Sequence, residues 1–285
     1  MRAFLPPGPI ILRLGERHYD LEHRALVMGI LNRTTDSFFS PAATFELDQL
    51  FERAESLVAQ GADVLDLGGV KAGPGEEVTE SEELERVTGT TAELVKRFDL
   101  PVSIDTWRAS VAEACFSEGA MIGNDISGFA DPDYLTVAAA AGAAVVATHI
   151  RLRPRVPDPD PHYDDVTTTV SEFLLERRRR AVSAGVHPQS VILDAGLDLG
   201  KTAGQSLRLL QDSAQLAELD SPLLLSASNK TFLGVMFAET VTERRWSSLA
   251  ALCAGMVAGC RVLRVHDVRG AVRARDAIAA LLEAP

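Results

Sequence analysis

The chain has 285 residues, 46% hydrophobic and 24% charged, the balance of an ordinary globular protein. Its net charge of −12 argues against general nucleic-acid binding, which favours a basic footprint. No apolar run approaches the ~20 residues of a membrane span, and Met1 to Leu12 lack the basic start and long apolar core of a signal peptide, so a cytoplasmic protein is expected. Cys115, Cys253 and Cys260 lie far apart, mostly in apolar helical patterns, and read as buried small residues, not as metal ligands or disulfides.

Ile10 to Leu21 alternates around Gly15 and predicts a short hairpin ahead of the main fold. Ala25 to Leu31 is an apolar strand running into Asn32. Leu47, Leu50, Phe51, Ala54, Leu57 and Val58 then share one helical face, and Gly61 stops that helix. From there a unit repeats. Val64 to Leu67 is a strand ending at Gly68-Gly69, and Thr79 to Arg97 is an acidic-start helix. Pro101 to Ile104 is a strand ending in Asp105, followed by a helix closed by Gly119. Met121 to Gly123 ends in Asn124-Asp125, and Val137 to Ala141 is helical. Ala144 to Ala147 ends in Thr148-His149.

A Pro-rich loop, Arg151 to Tyr163, leads to a helix over about Val166 to Ala184. Its Arg177 to Arg180 run reads as a solvated helix face, with an anion patch as the alternative. Val191 to Leu193 runs straight into Asp194, and a helix is expected from about Gln205 to Leu216. Leu223 to Leu225 leads to Ser226 and Lys230. A helix over Val241 to Ala258 is apolar around much of its circumference, which suits core burial or a subunit interface. Val262 to Val265 is the last strand, interrupted by Arg264 and ending in His266-Asp267, and Val272 to Leu282 closes the chain as a helix. Eight strands alternating with helices imply parallel pairing with right-handed crossovers. The expected fold is therefore an α/β (β/α)8 TIM barrel with a short N-terminal hairpin, one domain over residues 1–285. A doubly wound sheet is the alternative, without the usual dinucleotide glycine fingerprint.

In such a barrel the strand C-termini converge on one mouth. Asn32, Asp66, Asp105, Asn124, His149, Asp194, Lys230, Arg264 and His266 would meet there. Any one could cap a helix or shape a turn, but Asp105 and Asp194 each end an apolar run directly. For Asp194 the structural alternative is a pairing with nearby Lys201. Together the tips describe a pocket with two poles. The acids and Asn124 suit a heterocycle rich in N–H donors; Arg264, His266 and Asn32 suit an anion, alone or with a divalent metal. No Cys/His metal cluster and no G-x-S-x-G elbow is present.

The carriers M-G-I-L-N-R-T-T-D-S-F (Met28 to Phe38), V-L-D-L-G-G (Val64 to Gly69), S-I-D-T (Ser103 to Thr106) and N-D-I-S-G (Asn124 to Gly128) come in order. They are followed by L-D-A-G-L-D-L-G-K-T (Leu193 to Thr202), S-N-K-T-F-L-G (Ser228 to Gly234) and R-V-H-D-V (Arg264 to Val268). This series resembles the dihydropteroate synthases, within the wider pterin-binding barrels. The resemblance implies a cytoplasmic homodimer with one barrel mouth per subunit. It implies condensation of 6-hydroxymethyl-7,8-dihydropterin pyrophosphate with p-aminobenzoate, assisted by Mg²⁺. By position, Asp105, Asn124, Asp194 and Lys230 would hold the pterin, Asp194 through two parallel hydrogen bonds. Asn32, Arg264 and His266 would handle the pyrophosphate, with Asn32 on the metal.

The sequence also departs from the pattern of that family. In the first loop, Arg33 and Thr35 replace the Val and Pro of N-V-T-P-D-S-F, while Asn32 and Asp36 remain. In the second, Val70, Lys71, Ala72 and Gly73 stand where E-S-T-R would, removing a hydroxyl and an Arg. Asn229 replaces the Arg of S-R-K. Around the pterin pocket Thr148 stands for a usual Met, Leu199 for a Phe, Ser226 for a Gly, Ala195 for a Pro and Asp198 for a Gly. Loss of one Arg on a phosphate can cost ~10³-fold in rate, and Lys71 lacks the bidentate fork needed to replace it fully. The expectation is a diverged homologue with little synthase activity that keeps part of the pterin pocket and binds a pterin or sulfone inhibitor weakly. The alternatives are an active synthase with unconventional loops, or another pterin or folate reaction on the same barrel.

Overall fold

The computed structural model describes residues 10–33, 42–71, 73 and 75–283, with side chains 42–46 left aside. Strands β1 (Ile11–Leu14) and β2 (Arg17–Asp20) form an antiparallel hairpin. Then β3 (Leu26–Asn32), α1 (Ala42–Ala59), β4 (Val64–Gly68), α2 (Glu80–Arg97), β5 (Val102–Asp105) and α3 (Ala109–Ser117) follow in turn. Next come β6 (Ile122–Asp125), α4 (Tyr134–Ala140), β7 (Ala144–Thr148), α5 (Val166–Ser183), β8 (Val191–Asp194), α6 (Ala203–Gln211) and α7 (Ser213–Leu216). The chain finishes with β9 (Leu223–Leu225), α8 (Thr231–Phe237), α9 (Arg245–Val257), β10 (Cys260–Val265) and α10 (Val268–Glu283). Strands β3 to β10 pair in parallel and close into one barrel, with β10 against β3. The TIM-barrel expectation holds, and the open-sheet alternative is excluded by that closure.

Helix starts follow local chemistry. Thr79 and Glu82 form a capping box at α2, and Thr202 with Gln205 forms another at α6, so α6 begins two residues ahead of the expected Gln205. The expected helix over Gln205 to Leu216 is interrupted at Asp212, and the apolar helix near the C-terminus is shorter than Val241 to Ala258. Helix α8 was not legible, because its seven residues carry no cap of their own. The Arg177 to Arg180 run forms no shared patch. Arg178 reaches Ser221 Oγ at 3.0 Å, Arg179 pairs with Glu176, Arg180 donates to Phe129 O, and Arg177 lies over the Phe173 ring.

Two apolar layers flank the strands, as the alternation of a strand requires. Outward residues pack under the helices. Inward residues Leu26, Met28, Val64, Ile122, Ala144, Val146, Ile192, Leu224 and Val262 fill the lower barrel. The hairpin completes this inner core: Leu12, Leu14 and Leu21 are at most 1% exposed and plug its N-terminal end. Arg261, 2% exposed, fastens the plug by donating to the carbonyls of Leu21, Met256 and Cys260 at 2.8 to 3.0 Å. With the lower end sealed, the polar groups sit at the other end. Among the described residues no helix is long and apolar enough to cross a membrane. Cys115 and Cys260 are buried and Cys253 is half-buried, all as free thiols.

Candidate active site at the barrel mouth

The inward face of each strand changes character as it reaches its C-terminus. Two residues beyond an inward apolar residue lies a polar one: Asp66 after Val64, Asn124 after Ile122, Thr148 after Val146, Asp194 after Ile192, Ser226 after Leu224 and Arg264 after Val262. Period-two geometry therefore aims these side chains into the mouth.

Arg264 is the hub. Its Nε lies 2.6 Å from Asp66 Oδ2 and its Nη2 lies 2.7 Å from Asp105 Oδ2. Asp66 is fully buried and also accepts from Ser103 Oγ at 2.6 Å and, at longer range, from Asn124 Nδ2 at 3.3 Å. The two-pole pocket read from the sequence is thus corrected: Arg264 sits among the acids, with its guanidinium engaged by two carboxylates. Burial raises the Asp105 carboxyl above its ordinary range, with Arg264 opposing that shift. Ser103 was missed, although S-I-D places it in step with Asp105 on the inward face.

Asp194 is 7% exposed, and its Oδ1 accepts from Gly196 N at 2.8 Å. Its Oδ2 receives no hydrogen bond among the described residues. Burial raises this carboxyl too, against the pull of the Gly196 amide and of Lys230. Lys201 also favours the ionised carboxylate through its charge, but no hydrogen bond or ion pair joins it to Asp194 among the described residues. Lys201 Nζ donates to Gly196 O at 2.8 Å, Leu199 O at 3.1 Å and His149 O at 3.3 Å, and contacts His149 Nδ1 at 2.9 Å. It laces the turn beyond Asp194 to the end of β7. That turn needs glycine: Gly196 has φ +65°, and a Cβ there would lie 1.9 Å from His149 O. His149 is corrected as well, because its ring turns away from the mouth to pack on Phe173 (4.8 Å between centroids) and Tyr163.

Lys230, half-buried at the start of α8, makes no side-chain hydrogen bond or ion pair among the described residues. Burial lowers its pKa, and Asp194, Asp198 and Asp105 counter that. Asp198 explains how the loop is built. It holds φ +67°, its Oδ1 accepts from Phe232 N at 3.2 Å, and its Oδ2 takes the Thr231 amide. A carboxylate from the loop after β8 thereby caps α8 beside Lys230, which is why an acid can occupy a position with a glycine-like backbone. His266 Nδ1 lies 3.0 Å from Ser228 Oγ, and burial, reinforced by Arg264, lowers its pKa to about 4, so the ring is neutral. Beside it a cavity of about 340 Å³ is lined by Ser228, Asn229, Arg245 and His266.

Asn32 ends β3 opposite Gly68 and is exposed. Among the described residues no cluster of three His, Cys, Asp or Glu could hold a metal. A lone amide oxygen fits a Mg²⁺ carried mainly by phosphate oxygens, which needs only one or two protein ligands. Val70 is buried, Lys71 and Gly73 are exposed, and Asn229 holds φ +58° with its carbonyl on Arg244 Nη1. Thr35, Asp36 and Ala72 lie outside the described residues.

Comparison with known proteins gives this mouth its context. The pterin binding enzyme family pattern matches residues 28–266. Dihydropteroate synthase of Synechocystis is 37% identical over 268 residues, spanning 93% of this chain and 91% of the relative. A Mycobacterium leprae protein described as inactive dihydropteroate synthase 2 is 39% identical over 269 residues, spanning 90% of this chain and 91% of that one. Among solved structures, the Yersinia pestis dihydropteroate synthase in complex with a sulfonamide drug superposes with a TM-score of 0.90 at 33% identity, over 97% of this chain and all of that one. The chain therefore belongs to the dihydropteroate synthase family of pterin-binding enzymes.

Proposed function

We propose that this chain is a pterin-binding dihydropteroate synthase homologue with little or no synthase activity. One observation carries the reading. Asp194 and Asp105 each offer a carboxylate oxygen without a protein donor among the described residues, whereas the arginine at the same mouth is held by two acids. The mouth is thus equipped to receive N–H donors and poorly equipped to clamp an anion. Asp194 would take the guanidine-like edge of a pterin through paired hydrogen bonds, with Asn124, Asp105 and Lys230 around the ring. Asn32 and His266 would face the pyrophosphate. Mg²⁺ bound with that pyrophosphate would draw charge from the leaving group, and Asn32 is the residue that would hold it. Gly73 and Asn229 supply no guanidinium where the family pattern has one, so charge developing on the leaving group meets less stabilisation. The M. leprae relative is described as inactive, which supports this reading.

The test is product formation from dihydropterin pyrophosphate, p-aminobenzoate and Mg²⁺, followed by mass spectrometry, alongside calorimetric binding of 6-hydroxymethylpterin. Binding without turnover is expected, and Asp194→Asn should weaken binding about 10-fold to 100-fold, since hydrogen bonds to a charged group contribute roughly 1.5–3 kcal/mol. Robust turnover would overturn the reading. It would favour a working synthase, which the 37% identity to the Synechocystis enzyme also supports. In that case Lys71→Ala should abolish rescue of a strain lacking its own synthase.

We further propose that the protein is a homodimer. Met236, Phe237 and Trp246 are all more than 40% exposed and line a cavity of about 430 Å³ among α6, α8 and α9, and Val235 and Val241 are exposed as well. An apolar face of this kind is covered in most stable proteins, and a second copy is the occupant that the relatives' family suggests.

A further inference from the structure

The Pro-rich loop after β7 and the turn after β8 enclose a cavity of about 190 Å³ on the flank of the mouth. Arg153, Arg155, Val156, Leu199 and Lys201 stand on its wall, and it reaches Gly73 of the loop after β4. It shares no lining residue with the cavity beside His266, and none of Asp105, Asn124, Asp194 and Arg264 borders it. None of the family motifs runs through Arg151 to Tyr163.

Charge on this wall is unbalanced. Both acids that border the cavity are already engaged, Asp158 by the Arg151 guanidinium and Asp198 by the amides of Thr231 and Phe232. Arg155 donates to Glu76 O and meets no carboxylate. Arg153 makes no side-chain hydrogen bond or ion pair among the described residues. The chain carries 40 acidic residues against 28 Lys and Arg, so carboxylates are not scarce. One exposed arginine without an acid is ordinary; two on the wall of one small cavity repel each other and favour an anion between them. Arg155 also holds φ +66°, a backbone conformation that a residue with a Cβ adopts at a cost, and its guanidinium crosses from there to the loop after β4. Gly73 leaves that side open, since a Cβ there would meet nothing within 4 Å.

We propose that this cavity is an anion site separate from the mouth, taking a phosphate-type oxyanion, free or as the head of a small phosphomonoester, between Arg153 and Arg155. A carboxylate offers one planar edge and suits one guanidinium fork, whereas a tetrahedral oxyanion presents an edge to each of two. Because Arg155 also holds Glu76 O, the bound anion ties the loop after β7 to the loop after β4. The site does not depend on what the mouth binds.

The experiment is calorimetric titration of the whole chain with inorganic phosphate and, separately, with glycerol 3-phosphate, at constant ionic strength in chloride. Arg153→Gln should weaken binding about tenfold, the loss of a charge-assisted hydrogen bond, and leave the urea midpoint of the ligand-free protein unchanged. Arg153→Gln with Arg155→Gln should abolish binding. Arg179→Gln on the outer face of α5, and His266→Ala at the mouth, should leave it intact. Tighter binding of inorganic phosphate assigns the site to the free ion, and tighter binding of glycerol 3-phosphate assigns it to a phosphomonoester head. Absence of binding of either at millimolar concentration overturns the proposal. Affinity unchanged in Arg153→Gln also overturns it, and a loss in His266→Ala would then place the ion at the mouth.

Discussion

At the scale of single residues, Asp198, where the family pattern has a glycine, has a physical explanation. Asp198 is structural: it tolerates φ +67° and satisfies the first amides of α8. Replacing it by Gly relieves the backbone but removes a cap worth about 1 kcal/mol. Replacing it by Ala removes the cap and leaves a left-handed alanine, for a total of roughly 2–3 kcal/mol. Urea midpoints should therefore rank Asp198 above Gly and Gly above Ala; an equal effect of the two variants would show that the cap alone matters. A second residue sets an acid limit. Burial, with Lys201 adding to it, depresses the His149 pKa to about 3 from an ordinary 6.5. The unfolded chain then binds a proton that the folded chain refuses, so this contribution to stability is whole above about pH 6.5 and is lost as pH falls toward 3. Compared with His149→Gln, the unaltered protein should lose stability faster between pH 7 and pH 5, and parallel curves would sink the assignment. Such roles set the limit of sequence reading. Asp105, Asn124, Asp194 and Arg264 were legible as mouth residues because each interrupts an apolar strand. The engagement of Arg264 by Asp66 and Asp105 was not, because it joins β10 to β4 and β5, which no local pattern connects. His149 misled for a simple reason: it stands one residue beyond Thr148, and one step along a strand reverses the face.

At the scale of elements, the eight strands were readable because buried parallel strands are short apolar runs, and helices interrupt them at regular intervals. What the pattern could not supply was the destination of the hairpin. Alternation around Gly15 predicts β1 and β2, but nothing local says that Leu12 and Leu14 enter the barrel floor. That placement makes the hairpin part of the core. Leu14→Ala should destabilise by about 2–5 kcal/mol, the range for emptying a fully buried leucine site. The mouth lies at the opposite end of the strands, so pterin affinity at low temperature should stay within twofold of the unaltered protein. A large loss of affinity with an intact fold would mean that floor and mouth are coupled. The same separation explains how the loops could change so far without harm to the barrel. Gly73 and Asn229 stand on connections after β4 and β9, outside the strands that form the barrel, and Gly73 is exposed.

At the scale of the whole molecule, charge and apolar surface act against each other. A chain with net charge −12 repels its own copy at long range, which opposes self-association. Yet Phe237 and Trp246 are 58% and 71% exposed on the α8–α9 face, and the cavity between those helices is lined mostly by apolar side chains. Short-range burial of that face would have to outweigh the repulsion, and a stable interface of this kind needs roughly 1,000 Å² or more. Two consequences separate a true dimer from a soluble monomer with an exposed patch. Sedimentation should give twice the 30.6 kDa chain mass at micromolar concentration, and added salt should tighten the association, because it screens repulsion without weakening apolar contact. Trp246→Glu should place a buried charge at the contact and shift the protein to a monomer that still folds. Because α8 begins beside Lys230 and Asp198, loss of the partner should also loosen the mouth and weaken pterin binding. A monomeric mass for the unaltered protein, or a Trp246→Glu dimer of unchanged strength, would place the interface elsewhere and leave the α8–α9 face without its proposed occupant.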